Sequence, residues 1–249
     1  MNLVVDHGNT MIKVAFFHKD RCLELFTFND LSGPKLIKVI HEFEKKNPEL
    51  GHIRFGIISS VVKDISQLVN ALKDRLEIFT LNSSLQVPIT ICYKTAVTLG
   101  NDRIAAAVGA SSMFPGADLL VIDAGTCITY DFTNRNREFI GGGISPGIVM
   151  RFRALHAFTG NLPFIVGRKE AKLIGDTTEN SILSGVINGV FAEIEGVSEQ
   201  YRKKFPQLIT VFTGGDMNYF EKYTKSDIFA VSNLVLKGLN EILKFNVKQ

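Results

Sequence analysis

Two stretches of this 249-residue chain carry one short pattern about half a chain apart. The first is Leu3-Val4-Val5-Asp6-His7-Gly8-Asn9-Thr10, running into Lys13. The second is Leu120-Val121-Ile122-Asp123-Ala124-Gly125-Thr126-Cys127, running into Thr129 and Asp131. Each is a β-branched apolar run, then Asp, one residue, Gly and a small polar residue. The run reads as a buried strand. Its end brings a carboxylate, a bare backbone and a hydroxyl or amide to one point, which suits a metal-bound polyphosphate. A chain that spells this twice is expected to fold as two related halves closing on one nucleotide.

The periodic segments repeat in the same order. Residues 3–6 and 11–17 read as a hairpin about the Gly8-Asn9 turn, followed by a strand at Leu23–Phe28. Leu36, Ile37, Ile40 and Phe43 share a helical face. Ile53–Val61 reads as a buried strand ending in Ser59-Ser60, Ile65–Leu76 as a helix and Glu77–Leu81 as a short strand. Gly100–Met113 begins polar and becomes Ala-rich and helical, and Pro115-Gly116 punctuates the half. Beyond it, Leu119–Asp123, Ile128–Phe132 and Glu138–Gly141 read as strands. Gly141–Gly147 reads as a Gly-rich turn opening a helix that runs to Phe158. Ser181–Tyr201 is an amphipathic helix whose stripe includes Ile182, Val186, Val190 and Ile194. Leu208–Thr213 is a strand ending in Gly214-Gly215-Asp216, and Asn233–Phe245 is a closing helix. The predicted fold class is α/β: two duplicated domains, 1–116 and 117–249, each with a mixed sheet flanked by helices and its own Asp-x-Gly turn.

Several function classes drop out. A net charge of +3 is too small to argue for nucleic acid or membrane partners. Cys22, Cys92 and Cys127 are odd in number and lack metal-ligand spacing, which fits reduced thiols and a cytoplasmic location. The first apolar residues already form a strand, so no secretory signal is expected. There is no Gly-x-x-x-x-Gly-Lys-Ser/Thr, no His-Glu-x-x-His and no Gly-x-Ser-x-Gly.

Taken in order, the motifs resemble the type III pantothenate kinase family, of the acetate and sugar kinase, Hsp70 and actin superfamily. The resemblance rests on Asp6-x-Gly8-Asn9-Thr10-x-x-Lys13, Gly100-Asn101-Asp102-Arg103 and Asp123-x-Gly125-Thr126-x-x-Thr129-x-Asp131. Gly141-Gly142-x-Ile144-x-Pro146-Gly147, Leu162-Pro163, the Gly175–Gly185 segment and Thr213-Gly214-Gly215 complete it. It implies two RNase H-like domains of actin/Hsp70 type, ATP as phosphoryl donor, pantothenate as acceptor and a homodimer built on the helix from Ser181.

The resemblance also distributes roles. Asp6, Gly8, Asn9, Thr10 and Lys13 form the first phosphate loop, with Asp6 holding Mg2+ through water. Asp102 is the general base facing the attacking hydroxyl, and Arg103 meets the substrate carboxylate. Gly100, Asn101 and Tyr93 join the substrate side, with Thr178 contributed by the neighbouring subunit. Asp123 resembles the ligand of a monovalent cation, K+ or NH4+, and Thr126 a nucleotide contact. Read without the family, Asp6 and Asn9 are also turn formers, Asn101-Asp102 a helix cap with a solvated Arg103, and Thr177 or Thr178 an N-cap. His7 replaces an apolar residue and should face away from Asp6. Cys127 replaces a common Ala. His18, His41, His52 and His156 form no ligand set. A non-catalytic nucleotide-binding regulator and another small-molecule kinase of the superfamily remain alternatives at this point.

Overall fold

In the computed structural model, residues 1–61, 64–165, 171–219 and 228–247 are described. In chain order the elements are β1 (Asn2–His7), β2 (Ile12–His18), β3 (Arg21–Phe28), α1 (Gly33–Lys46), β4 (Phe55–Ser60), α2 (Ser66–Leu72), β5 (Glu77–Thr80), β6 (Thr90–Ile91) and α3 (Asn101–Met113). They continue with β7 (Leu119–Ala124), β8 (Cys127–Thr133), β9 (Glu138–Pro146), α4 (Ile148–Ala157), α5 (Thr178–Lys204), β10 (Ile209–Thr213), β11 (Ile228–Ala230) and α6 (Leu234–Val247).

The chain forms two compact units. The first comprises Met1–Pro115, Arg137–Phe139 and Asn233–Gln249; the second comprises Gly116–Asn136 and Ile140–Ser232. The first sheet has the order β3-β2-β1-β4-β5, and five strands of the second repeat it as β9-β8-β7-β10-β11. In each, the opening strand is antiparallel to the next and parallel to a later one. This is the RNase H-like arrangement, built twice. β6 pairs in parallel with Glu138–Phe139, the part of β9 that belongs to the first unit.

Burial explains the unbroken apolar run of β1. Leu3 and Val5 pack with α1 and α2 on one face, and Val4 packs with α3 and α6 on the other. A strand covered on both faces has no polar side to spell. In the second unit, Leu120, Ile122 and Phe212 pack under α4 and α5, in one cluster with Ile182, Val186, Val190 and Ile194. The stripe of α5 is therefore consumed by its own domain.

Three sequence expectations change. The closing helix belongs to the first unit, not to residues 117–249, because α6 packs on α3 backbone to backbone. A Cβ added at Gly238 would stand 1.7 Å from the Ala105 carbonyl oxygen, and one at Gly109 would stand 2.8 Å from that of Leu234. Residues 141–146 are extended strand rather than turn, because missing side chains let β9 press against β8: a Cβ at Gly142 would lie 1.5 Å from the Tyr130 carbonyl oxygen. Finally, α2 stops at Leu72, and a turn at residues 73–75 returns Leu76 to the core at 5 % exposure.

Candidate active site

The first Asp-x-Gly turn joins two antiparallel strands, with Asp6 opposite Lys13 and, on the other side, Ser59 of parallel β4. Side chains alternate along strands, so Asp6 shares the face of Val4 that α3 covers. Gly8 closes the turn by donating its N–H to the Met11 carbonyl at 3.2 Å, leaving Asn9 and Thr10 exposed. The Asp6 carboxyl is pushed up to about 6, first by burial, then by the negative Asp102, with Lys13 opposing. Two carboxyls and an ammonium are thus near enough here to act on one another's charge. Burying a carboxylate beside another is costly unless a cation neutralises it. Hard oxygen donors of this kind suit a small divalent ion that keeps most of its waters. Among the described residues no three His, Cys, Asp or Glu side chains form a complete metal cage.

The start of α3 supplies the second group. Gly100 is the N-cap, and a Cβ there would stand 2.5 Å from Asp102 Oδ1. The bare glycine lets the Asp102 carboxylate fold back and accept the Arg103 N–H at 2.9 Å. The Asn101 amide donates to the carbonyls of Leu81 at 2.9 Å and Ser60 at 3.3 Å, tying the helix start to the ends of β4 and β5. Arg103 is not solvated: it is 7 % exposed, with its guanidinium carbon 5.8 Å from the Tyr93 ring centre and 5.7 Å from that of Phe139. These rings meet edge to face at 6.1 Å. Sequence reasoning reached Tyr93 but missed Phe139, which reads as an ordinary strand aromatic. It also left Ser59 unassigned, a fully buried serine whose hydroxyl has no hydrogen-bond partner among the described residues, level with Asp6.

The second turn is enclosed by backbone. Asp123 sits between Thr129 of β8 and Thr213 of β10 in register, and the Gly125 N–H donates to the Cys127 carbonyl at 2.9 Å. Gly147 donates to the Thr126 carbonyl at 3.1 Å, and a Cβ on it would lie 2.1 Å from the Gly125 oxygen. On the other flank Gly214, at φ +109°, lies against Ala124, where a Cβ would come within 2.1 Å of the carbonyl oxygen. Asp216 donates its N–H to the same carbonyl, and burial raises its carboxyl. Thr178 is exposed on the first turn of α5, and Thr177 is the cap, accepting the Asn180 N–H at 3.1 Å. The first unit therefore brings Asp6, Lys13 and Asp102 together and Arg103 with Tyr93. The second holds Asp123 and Thr126 on one turn, with Thr178 on a separate helix.

Two mixed sheets of this order, each ending its first strand in an Asp-x-Gly turn, define the actin and Hsp70 type of fold. Solved structures of low identity share the fold. A protein described as a Baf family transcriptional activator from Campylobacter jejuni superposes with a TM-score of 0.63 at 22% identity, covering 99% of this chain and 100% of that one. The inorganic polyphosphate/ATP-glucomannokinase of Arthrobacter sp. strain KM gives 0.51 at 11% identity, covering 98% of each. The family model for type III pantothenate kinase matches residues 2–200. Type III pantothenate kinases of Christiangramia forsetii and Phocaeicola vulgatus are 46% and 42% identical, each over the whole of both chains. The chain belongs to the type III pantothenate kinase family.

Proposed function

We infer that this protein transfers the γ-phosphoryl group of ATP to the 4′-hydroxyl of pantothenate, the first step of coenzyme A biosynthesis. The observation that carries the reading is the placing of Asp102 in the first turn of α3, its carboxylate folded back over Gly100 onto the Arg103 N–H at 2.9 Å, with Asn101 tying that turn to the ends of β4 and β5 beside β1. This supports reading Asp102 as the proton acceptor, with Asp6 as the carboxylate for a metal. Phosphoryl transfer asks for in-line positioning, charge neutralisation and an acceptor for the hydroxyl proton. Asp102 accepts that proton. Arg103, held against Tyr93, offers a planar fork to the pantothenate carboxylate. Gly100 leaves room for the Asp102 carboxylate, and Asn101 fixes the helix start. Gly8, Asn9, Thr10 and Lys13 take the phosphates, and Asp6 holds Mg2+ through water. When bound, the divalent ion offsets the charge of the phosphates. Thr126 contacts the nucleotide, and Asp123 holds K+ or NH4+.

The enzyme acts as a homodimer in the cytoplasm, with Thr178 serving the neighbouring subunit. Support comes from a face of α5 on which Gly185, Gly189 and Gly196 align with open space where side chains would stand. Beside it, Ser184 donates to the Leu173 carbonyl at 2.6 Å, and Leu173 and Ile174 are 82 % and 80 % exposed. Such a face suits an isologous contact. Among the described residues no helix is long and apolar enough to cross a membrane.

The test offers pantothenate, hexoses, N-acetylhexosamines and acetate with ATP, magnesium and potassium, and follows ADP release with phosphate transfer. Stoichiometric phosphorylation of pantothenate alone is expected. Transfer to a sugar or to acetate, or nucleotide binding without transfer to any acceptor, would overturn the reading.

A further inference from the structure

Behind the second turn lies a polar cluster with no place in the chemistry above. Arg151, on α4, donates from Nε to the Pro146 carbonyl at 2.8 Å, and from Nη2 to Ser145 Oγ at 2.8 Å and Glu193 Oε2 at 2.5 Å. Glu193, midway along α5, accepts the Tyr130 hydroxyl on its other oxygen at 2.9 Å. Four elements, β8, β9, α4 and α5, are thereby tied at one point. Both charged side chains are mostly shielded, at 22 % and 28 % exposure. Charge-assisted bonds in such a setting are stronger and more directional than a surface ion pair.

The location gives the cluster its meaning. Arg151 grips residues 145 and 146, and the next residue is Gly147, whose N–H and bare Cα back directly onto Gly125 and Thr126. Tyr130 lies on the strand that leaves the same turn, with Gly142 of β9 against its carbonyl. The cluster thus holds the strand leaving the turn and the segment behind it. Burial and the negative Glu193 raise the Tyr130 hydroxyl, which stays a hydrogen-bond donor.

We propose that Arg151 and Glu193 are positioning residues for the second phosphate turn, setting the place of Gly125 and Thr126 and through them the grip on the nucleotide. Neither residue touches substrate in this scheme. It rests on the assignment of Thr126 to the nucleotide, and it separates the two substrates. Loosening the clamp should weaken ATP and leave pantothenate unchanged, since its proposed contacts Tyr93, Gly100, Asn101 and Arg103 lie in the first unit and Thr178, at the far N-terminal end of α5, comes from the neighbouring subunit.

The test compares parent, Arg151→Lys, Arg151→Ala, Glu193→Gln and Tyr130→Phe. Steady-state kinetics are measured for each substrate, and binding of a non-hydrolysable ATP analogue is measured by calorimetry. A displaced turn costs about tenfold or more in the ATP KM for Arg151→Ala, since small misplacements of positioning groups are expensive. Arg151→Lys should recover part of that, and the pantothenate KM should stay within about twofold of parent. Arg151→Ala combined with Glu193→Gln should be little worse than Arg151→Ala alone, as for residues acting through one network. If Arg151→Ala does not fold, Tyr130→Phe, which loses only a hydroxyl, carries the same comparison. An unchanged ATP KM in every folded variant, or equal rises in both KM values, overturns the proposal. A parent that binds the analogue but does not phosphorylate pantothenate defeats the functional reading instead, and calorimetry on the variants still decides the clamp.

Discussion

The two Asp-x-Gly turns share one pattern but stand in different surroundings. The first is crowded with charge: Asp6 feels Asp102 and Lys13, while among the described residues a Cβ on Gly8 would meet the Met11 carbonyl at 3.1 Å and one on the equivalent Gly125 would meet nothing within 4 Å. The second is wrapped by backbone, with Gly147 and Gly214 pressed on its two flanks. Duplication kept the strand order and the turn and changed the surroundings. One half gathers ionisable groups around a buried carboxylate. The other has a turn with close-packed backbone on its two flanks.

Asp102→Asn should have the largest effect. It removes the proposed proton acceptor and should lower turnover by about 10²–10⁴-fold. The fold should be spared, since the amide oxygen can still accept the Arg103 N–H. Turnover near the parent value, in stopped or continuous assay, would move the base elsewhere.

Glycine substitutions probe the contrast in packing. Gly147→Ala drives a methyl into the Gly125 carbonyl and should cost about 3 kcal/mol of stability. Gly8→Ala has only a 3.1 Å contact to relieve and should cost less than about 1 kcal/mol. Urea unfolding of both variants reads the difference. Equal losses would mean the two turns are packed alike.

A smaller effect separates charge from packing. The Asp6 pKa is raised from 3.8 to about 6 in the folded chain. Its ionisation therefore destabilises the metal-free fold, a cost absent below the unfolded value and complete above pH 6. Asp6→Asn should be more stable than parent at pH 7.5, by about 1–2 kcal/mol after allowance for partial exposure. The gap should close as pH falls from 6 toward 4. Melting curves across that range check the sign, and added magnesium should narrow the gap at pH 7.5 by stabilising only the parent.

The parts legible in the sequence are those a local pattern must spell. A carboxylate on a glycine turn after a buried strand needs Asp6, Gly8, Asp123 and Gly125 at fixed spacing, and both turns were readable for that reason. The paired Asn101 and Asp102 were readable too, though not that Asn101 serves the ends of β4 and β5. Contacts made by missing atoms were silent. Gly238 and Gly109 bring α6 onto α3, yet neither glycine marks its partner. The glycines of 141–143 read as a turn because glycine favours turns, whereas here Gly142 clears a path past Tyr130. The stripe of α5 suggested a second chain, but its residues fill the domain core. The face left over is the glycine one, which has no hydrophobic signal.

The division of labour between the turns is tested most directly by a crossed cation titration. Parent, Asp6→Asn and Asp123→Asn are assayed over magnesium at fixed potassium, then over potassium at fixed magnesium, with a bulky organic cation holding ionic strength. Parent activity should vanish without potassium and return on its addition. Asp6→Asn should need far more magnesium at an unchanged potassium requirement, and Asp123→Asn the reverse. A parent that runs equally well in the organic cation, or two variants that shift both requirements together, would contradict the separate assignment of the two ions.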